Sequence, residues 1–125
     1  MENKKLFLLW LDDRRNPFEK DWQVWLCKYG PLAQPYETVW VTTYIEFVDW
    51  IKASGLPDAV CFDNDIADFT GPGGAELRGV DCCKWLVEYC LDNNLELPKY
   101  AIQSSNYNGR EYIDGTFKSF NARKK

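Results

Sequence analysis

The feature that most constrains this chain is a continuous apolar run, Leu6-Phe7-Leu8-Leu9-Trp10-Leu11, that stops abruptly at Asp12-Asp13. A strand with one face in water alternates apolar and polar residues. A run that is apolar at every position is a strand covered on both faces, as in the middle of a parallel sheet. Three shorter runs follow: Thr38-Val39-Trp40-Val41-Thr42, Ala59-Val60-Cys61-Phe62 and Tyr100-Ala101-Ile102. Helical periodicity fills the intervals. Ile45, Val48 and Ile51 recur at spacings of three, with Phe47 close by, until Ser54-Gly55-Leu56-Pro57 ends the pattern. Cys83, Leu86, Val87 and Cys90 share a face between Val80 and Leu91, and Tyr112, Ile113 and Phe117 mark a helix from Arg110 to about Phe120. Trp22, Trp25, Leu26 and Tyr29 fit a short helix before Gly30-Pro31.

The order β-α-β-α-β-α-β-α predicts an α/β domain: a small, doubly wound parallel sheet of about four strands, order 2-1-3-4, flanked by helices on right-handed crossovers. The 125 residues fit a single domain, 1–125, and a hydrophobic fraction of 46% supplies a core without a structural metal or disulfide. The five cysteines, Cys27, Cys61, Cys82, Cys83 and Cys90, are odd in number and form no CxxC pair, so they read as reduced core thiols of a cytoplasmic protein. The first apolar run is short and ends in two acids, which marks a strand and not a signal peptide. No run approaches the ~20 residues of a membrane helix. A net charge of −4 argues against an extended nucleic-acid-binding face. Basic residues gather between Lys118 and Lys125, where a helix C-terminus accounts for them.

There is no histidine in the chain. That excludes His-ligated zinc, imidazole general-base chemistry, and Ser-His or Cys-His nucleophile pairs. The chemistry left to consider is that of carboxylates, and these fall where apolar strands end. The first strand runs into Asp12-Asp13 and the third into Asp63-Asn64-Asp65; the fourth runs into Gln103-Ser104-Ser105-Asn106. In the order 2-1-3-4 the first and third strands are neighbours, and the crevice between their carboxyl ends is the topological switch point where such sheets bind ligands. Up to four carboxylates therefore converge there. Like charges so close either raise a pKa or recruit a cation, and hard oxygen donors suit Mg²⁺ or Mn²⁺ with a bridging phosphate. The competing reading is that each Asp caps the helix after it. Ser104, Ser105 and Asn106 precede a helix and could offer N–H groups to an anion, or serve as its cap. Arg14 and Arg15 could reach a phosphate or simply balance Asp12 and Asp13. Asp68 to Gly79, with four glycines, reads as a flexible loop, either plain surface or a lid. Trp22 and Trp25 could stack on a base, although core packing accounts for them as well.

These motifs, in this order, resemble those of the cyclic-phosphate processing receiver domains. Leu11-Asp12-Asp13-Arg14-Arg15-Asn16-Pro17 is similar to that family's LDDxRxP, and Phe62-Asp63-Asn64-Asp65-Ile66 to its DHDL. Gly79-Val80-Asp81 with Trp85-Leu86 resembles GxD…WL, and Ser104-Ser105-Asn106 with Gly109 resembles HSxNPxxG. The resemblance covers nearly the whole chain. It implies a receiver-like (flavodoxin-like) fold of phage or bacterial origin and a phosphoesterase-like role on cyclic or terminal phosphates, such as RNA ends or cyclic nucleotides. It implies a divalent cation, Mg²⁺ or Mn²⁺, on Asp12, Asp13, Asp63 and Asp65, with Asp13, Asp63 and Ser104 nearest the chemistry. Arg15, Asn64, Gln103, Ser105, Asn106 and Gly109 would face the substrate. The departures are specific. Asn64 and Gln103 stand where the family has His, Tyr107 where it has Pro, and Thr42 where an Arg is frequent. Asn and Gln form hydrogen bonds but transfer no protons at neutral pH. Two readings stay open: an enzyme, or a non-catalytic receiver-like signalling or ligand-binding module.

Overall fold

The computed structural model describes residues 6–18, 36–102 and 107–124, with side chains in the last stretch described over 111–120. Four strands form one sheet: β1 (Leu6–Leu11), β2 (Tyr36–Val41), β3 (Ala59–Phe62) and β4 (Lys99–Ile102). All pair in parallel, in the order β2-β1-β3-β4. The register sets Leu11 beside both Val41 and Phe62, and Phe62 beside Ile102, so all four strands end at one level. This is the receiver-like α/β architecture that the alternating periodicities predict.

Both faces of β1 are covered, which is why it tolerates no polar residue. Leu9 and Leu11, with Val60 and Phe62 of β3, face α1 (Tyr44–Ser54), α2 (Gly79–Asp92) and α3 (Tyr107–Lys124). The helices meet them with Phe47, Val48 and Ile51, with Cys82, Cys83, Leu86, Val87 and Cys90, and with Ile113, Phe117 and Phe120. Phe62 lies at the centre, its ring 5.7 Å from that of Phe47 and 5.5 Å from that of Phe117. Leu8, Trp10, Ala59 and Cys61 point to the opposite face and are fully buried there, packed with Tyr36 and Ala101.

The helix ends are fixed by local chemistry. The Thr43 hydroxyl accepts from Glu46 N (3.2 Å) at the start of α1, and the Glu46 carboxylate accepts from Thr42 N (2.8 Å) and the Thr42 hydroxyl (2.9 Å). Gly55, at φ +87°, closes α1 with its N–H on Ile51 O. The Asp81 carboxylate accepts from Arg78 N (2.7 Å) at the start of α2.

Three expectations change or fall outside view. Cys82, Cys83 and Cys90 are buried thiols as expected, but Cys61 is disulfide-bonded, which corrects the reading of five reduced cysteines. Spacing along a chain does not reveal which thiols meet in the fold. The glycine-rich loop after β3 is a bonded turn. Leu77 N donates to Asp68 O (2.6 Å), Gly71 N to Ala75 O (2.9 Å), and Pro72–Gly74 forms a 3₁₀ turn. Gly73 and Gly74 spend their freedom on positive φ, at +67° and +80°, to make the reversal. The short helix expected around Trp22 to Tyr29, and Cys27 within it, lie outside the described residues. Among the described residues, no helix is long and apolar enough to cross a membrane.

Candidate functional site

The sheet ladder runs one residue past the strands and sets two acids in place. Asp12 N donates to Val41 O (3.1 Å), and Asp63 N donates to Leu11 O (3.0 Å). Because β1 and β3 are adjacent and parallel, Asp12, Asp13 and Asp63 converge: each offers a carboxylate oxygen within 4.8 Å of the others. Asp12 is 1% exposed and Asp63 6%.

Each acid is compensated differently. Asp12 Oδ1 accepts from Arg14 N and Arg15 N, both at 2.9 Å, which curls the chain back over the carboxylate. Its Oδ2 pairs with Arg15 Nη1 at 3.0 Å. Asp13 Oδ1 is buried without a hydrogen-bond partner. The Asp63 carboxyl is pushed up to about 7, first by burial and then by Asp12 and Asp13, against the lowering effect of the Arg15 charge and of a hydrogen bond from the Asp65 backbone N–H. Three hard oxygen donors in one small space, one of them orphaned, fit a divalent cation such as Mg²⁺ or Mn²⁺.

The other expected site residues divide. Asp65 is exposed and stands outside the group of three; its contribution to Asp63 is its amide. Asn64 is buried and works on the fold: its Oδ1 accepts from Val80 N (3.2 Å) and its carbonyl from Gly79 N (2.9 Å), which docks α2 onto the end of β3. Gly79 makes that approach possible, since a Cβ there would lie 2.2 Å from Asp63 O. Gln103, Ser104, Ser105 and Asn106 lie outside the described residues. The chain enters them from Ile102, level with Phe62, and Gly109 falls within α3.

Some supports escaped the sequence reading. The indole N–H of Trp40 donates to Asp12 O (2.7 Å), and that of Trp10 to Arg15 O (2.9 Å), so two tryptophans brace the acidic loop. The available signal is generic and applies to Trp10 alone, whose buried indole needs an acceptor; Trp40 is exposed. Asp68 is also buried. It accepts from Tyr44 N (2.9 Å) at the start of α1 and from the Thr70 amide (3.0 Å) and hydroxyl (2.6 Å). Burial alone would raise its pKa, but these donors hold it below the ordinary value.

A comparison with family models matches residues 7–119 to the cyclic-phosphate processing receiver domain. No curated protein matches the chain.

Proposed function

The chain belongs to the cyclic-phosphate processing receiver domain family, and on that premise we propose that it binds a divalent cation, Mg²⁺ or Mn²⁺, and with it binds or processes a cyclic or terminal phosphate. The observation that carries this reading is the convergence of Asp12, Asp13 and Asp63, with a buried, unpartnered oxygen on Asp13. A cluster this tight is neutralised by protons or by a cation, and at neutral pH a cation is the better answer. When bound, the cation supplies charge and polarises a phosphoryl oxygen. Asp12, Asp13 and Asp63 hold it, and Asp65 steadies Asp63 through its amide. Ser104, Ser105, Asn106 and Gln103, which follow β4, supply the phosphate side, with Arg15 in support. An RNA end or a cyclic nucleotide is the ligand class that follows from the family.

A second reading is binding without turnover. It is favoured by the absence of histidine and by Asn64, whose side-chain oxygen is engaged on Val80 N. One experiment separates the two. The protein is incubated with Mg²⁺ or Mn²⁺ and oligonucleotides ending in a cyclic phosphate, nucleoside cyclic phosphates and simple phosphoesters. Product formation that is lost on Asp13→Asn supports processing. Cation-dependent binding without product supports the second reading, and neither outcome from folded protein defeats both. A small phosphodonor with Mg²⁺ tests signalling use: a one-phosphoryl mass gain, lost on Asp63→Asn, would mark a phospho-accepting receiver.

A further inference from the structure

We propose that Arg15 is the resident counter-cation of the acidic pocket, that a divalent cation displaces its guanidinium from Asp12, and that the displaced guanidinium then receives the phosphate. Cation and phosphate binding are thereby coupled through one side chain. The inference rests on the proposed cation site and adds an order of events and a coupling residue.

The geometry separates what holds Asp12 from what neutralises it. The carboxylate is oriented by backbone: Arg14 N and Arg15 N both donate to Oδ1 at 2.9 Å. The Arg15 side chain takes the other oxygen, Oδ2, at 3.0 Å. Removing the guanidinium therefore leaves Asp12 in place. The Arg15 backbone is itself pinned, because its carbonyl accepts from Trp10 Nε1 at 2.9 Å. Only the side chain has to move. It has somewhere to go, since the Arg15 side chain is 25% exposed whereas that of Asp12 is 1% exposed. A dication on the three acids and a guanidinium on Oδ2 would repel each other at contact distance, so the weaker charge gives way. The planar fork that fits a carboxylate also fits a phosphate, and a dication-bound phosphate offers it an anion at the pocket mouth. Coupling of this kind is reciprocal: phosphate must then tighten cation binding by the factor that the cation tightens phosphate binding.

The test is Mn²⁺ binding by the full chain, read from the electron paramagnetic resonance of unbound Mn²⁺, with and without inorganic phosphate and corrected by a protein-free titration. Wild type is expected to bind Mn²⁺ more tightly when phosphate is present. Arg15→Gln should bind Mn²⁺ about tenfold more tightly than wild type in the absence of phosphate, having lost the competitor, and should lose the response to phosphate. Arg15→Lys should fall between the two and serves if the Gln variant does not fold. Arg14→Gln removes an exposed charge whose amide alone serves Asp12, and should stay within about twofold of wild type. Weaker or unchanged Mn²⁺ binding by Arg15→Gln, a retained phosphate response, or an equal gain in Arg14→Gln would each overturn the proposal. If wild type binds Mn²⁺, Asp13→Asn abolishes it and Arg15→Gln changes nothing, the cation site stands and the role of Arg15 falls. Folded wild type that binds no Mn²⁺ would remove both.

Discussion

Replacing Asp63 by Asn should make the cation-depleted protein more stable, and more so at pH 8 than at pH 5. An exposed carboxyl titrates at 3.8, and the Asp63 carboxyl at about 7, chiefly because it is buried and then because Asp12 and Asp13 face it. A raised carboxyl pKa means that between 3.8 and about 7 the folded chain holds a proton that the unfolded chain has released. Stability therefore falls as pH rises through that window and levels off above it. Each pH unit in the window costs about 1.4 kcal/mol, so full ionisation of Asp63 costs the fold about 4 kcal/mol. Asparagine resembles the protonated acid, keeps an acceptor oxygen for the Asp65 N–H and never ionises. The Asn variant should gain about 1–2 kcal/mol at pH 5 and about 2–4 kcal/mol at pH 8, the latter worth roughly 10 °C in melting temperature.

The assay is urea unfolding of wild type and Asp63→Asn in EDTA at both pH values, then again with Mg²⁺. A bound cation offsets the like-charge cost of the wild type, and at a hundredfold excess over its dissociation constant it adds about 2.7 kcal/mol by mass action. The variant should respond less, and the gap between the two proteins should close. A variant that is destabilised equally at pH 5 and pH 8, with or without Mg²⁺, would refute the reasoning. Asp63 would then be a structural acceptor whose loss costs a hydrogen bond whatever its charge.

Gly79→Ala should cost about 3 kcal/mol or more in the same unfolding assay, because the new methyl meets the Asp63 carbonyl, a backbone atom that cannot step aside. It should also weaken the Mg²⁺ response, since Asp63 moves with its carbonyl. Asp68→Ala should cost about 2 kcal/mol near neutral pH by orphaning Tyr44 N and Thr70 N. Its pKa is lowered in the fold, so this contribution is complete above the ordinary carboxylate value and fades as pH falls through the depressed one, with no dependence on Mg²⁺. Cys82 and Cys83, whose thiols burial pushes up, should resist iodoacetamide at pH 8 until denaturant is added, as counted by mass.

The sheet was legible because its signals are dense and local. Six consecutive apolar residues in β1 admit few structures, and the parallel order follows from helices lying between strands. Asp12, Asp13 and Asp63 were legible for a derived reason: parallel neighbours must end together, so the residues just past them must meet. The inference weakens with each further residue. β3 ends at Phe62, and by Asn64 and Asp65 the chain has left the ladder, so period-two alternation no longer says which side chain faces the crevice. Asn64 turned to the start of α2 and Asp65 to solvent. Asp68 was illegible for a different cause: its partner Tyr44 lies 24 residues away, at the start of α1, and no pattern in the sequence connects the two.

The acidic pocket explains why these particular details escaped a reading by residue type. Up to four like charges were expected to behave as a set, yet three converge and the fold compensates them one at a time. Asp12 has two backbone donors and a guanidinium, Asp63 has a proton within reach of neutral pH, and Asp13 keeps one buried oxygen with no donor. The arrangements are set by the turn at Arg14 and Arg15 and by the Asp65 amide, both close in sequence, and by the indoles of Trp10 and Trp40, the latter 28 residues from Asp12. None of the three removes the repulsion among the acids. A dication placed among them would replace the proton on Asp63, partner the orphaned oxygen of Asp13 and release the arginine from Asp12. On the proposed reading, this uneven compensation would tie the pocket's stability and its pH dependence to cation occupancy.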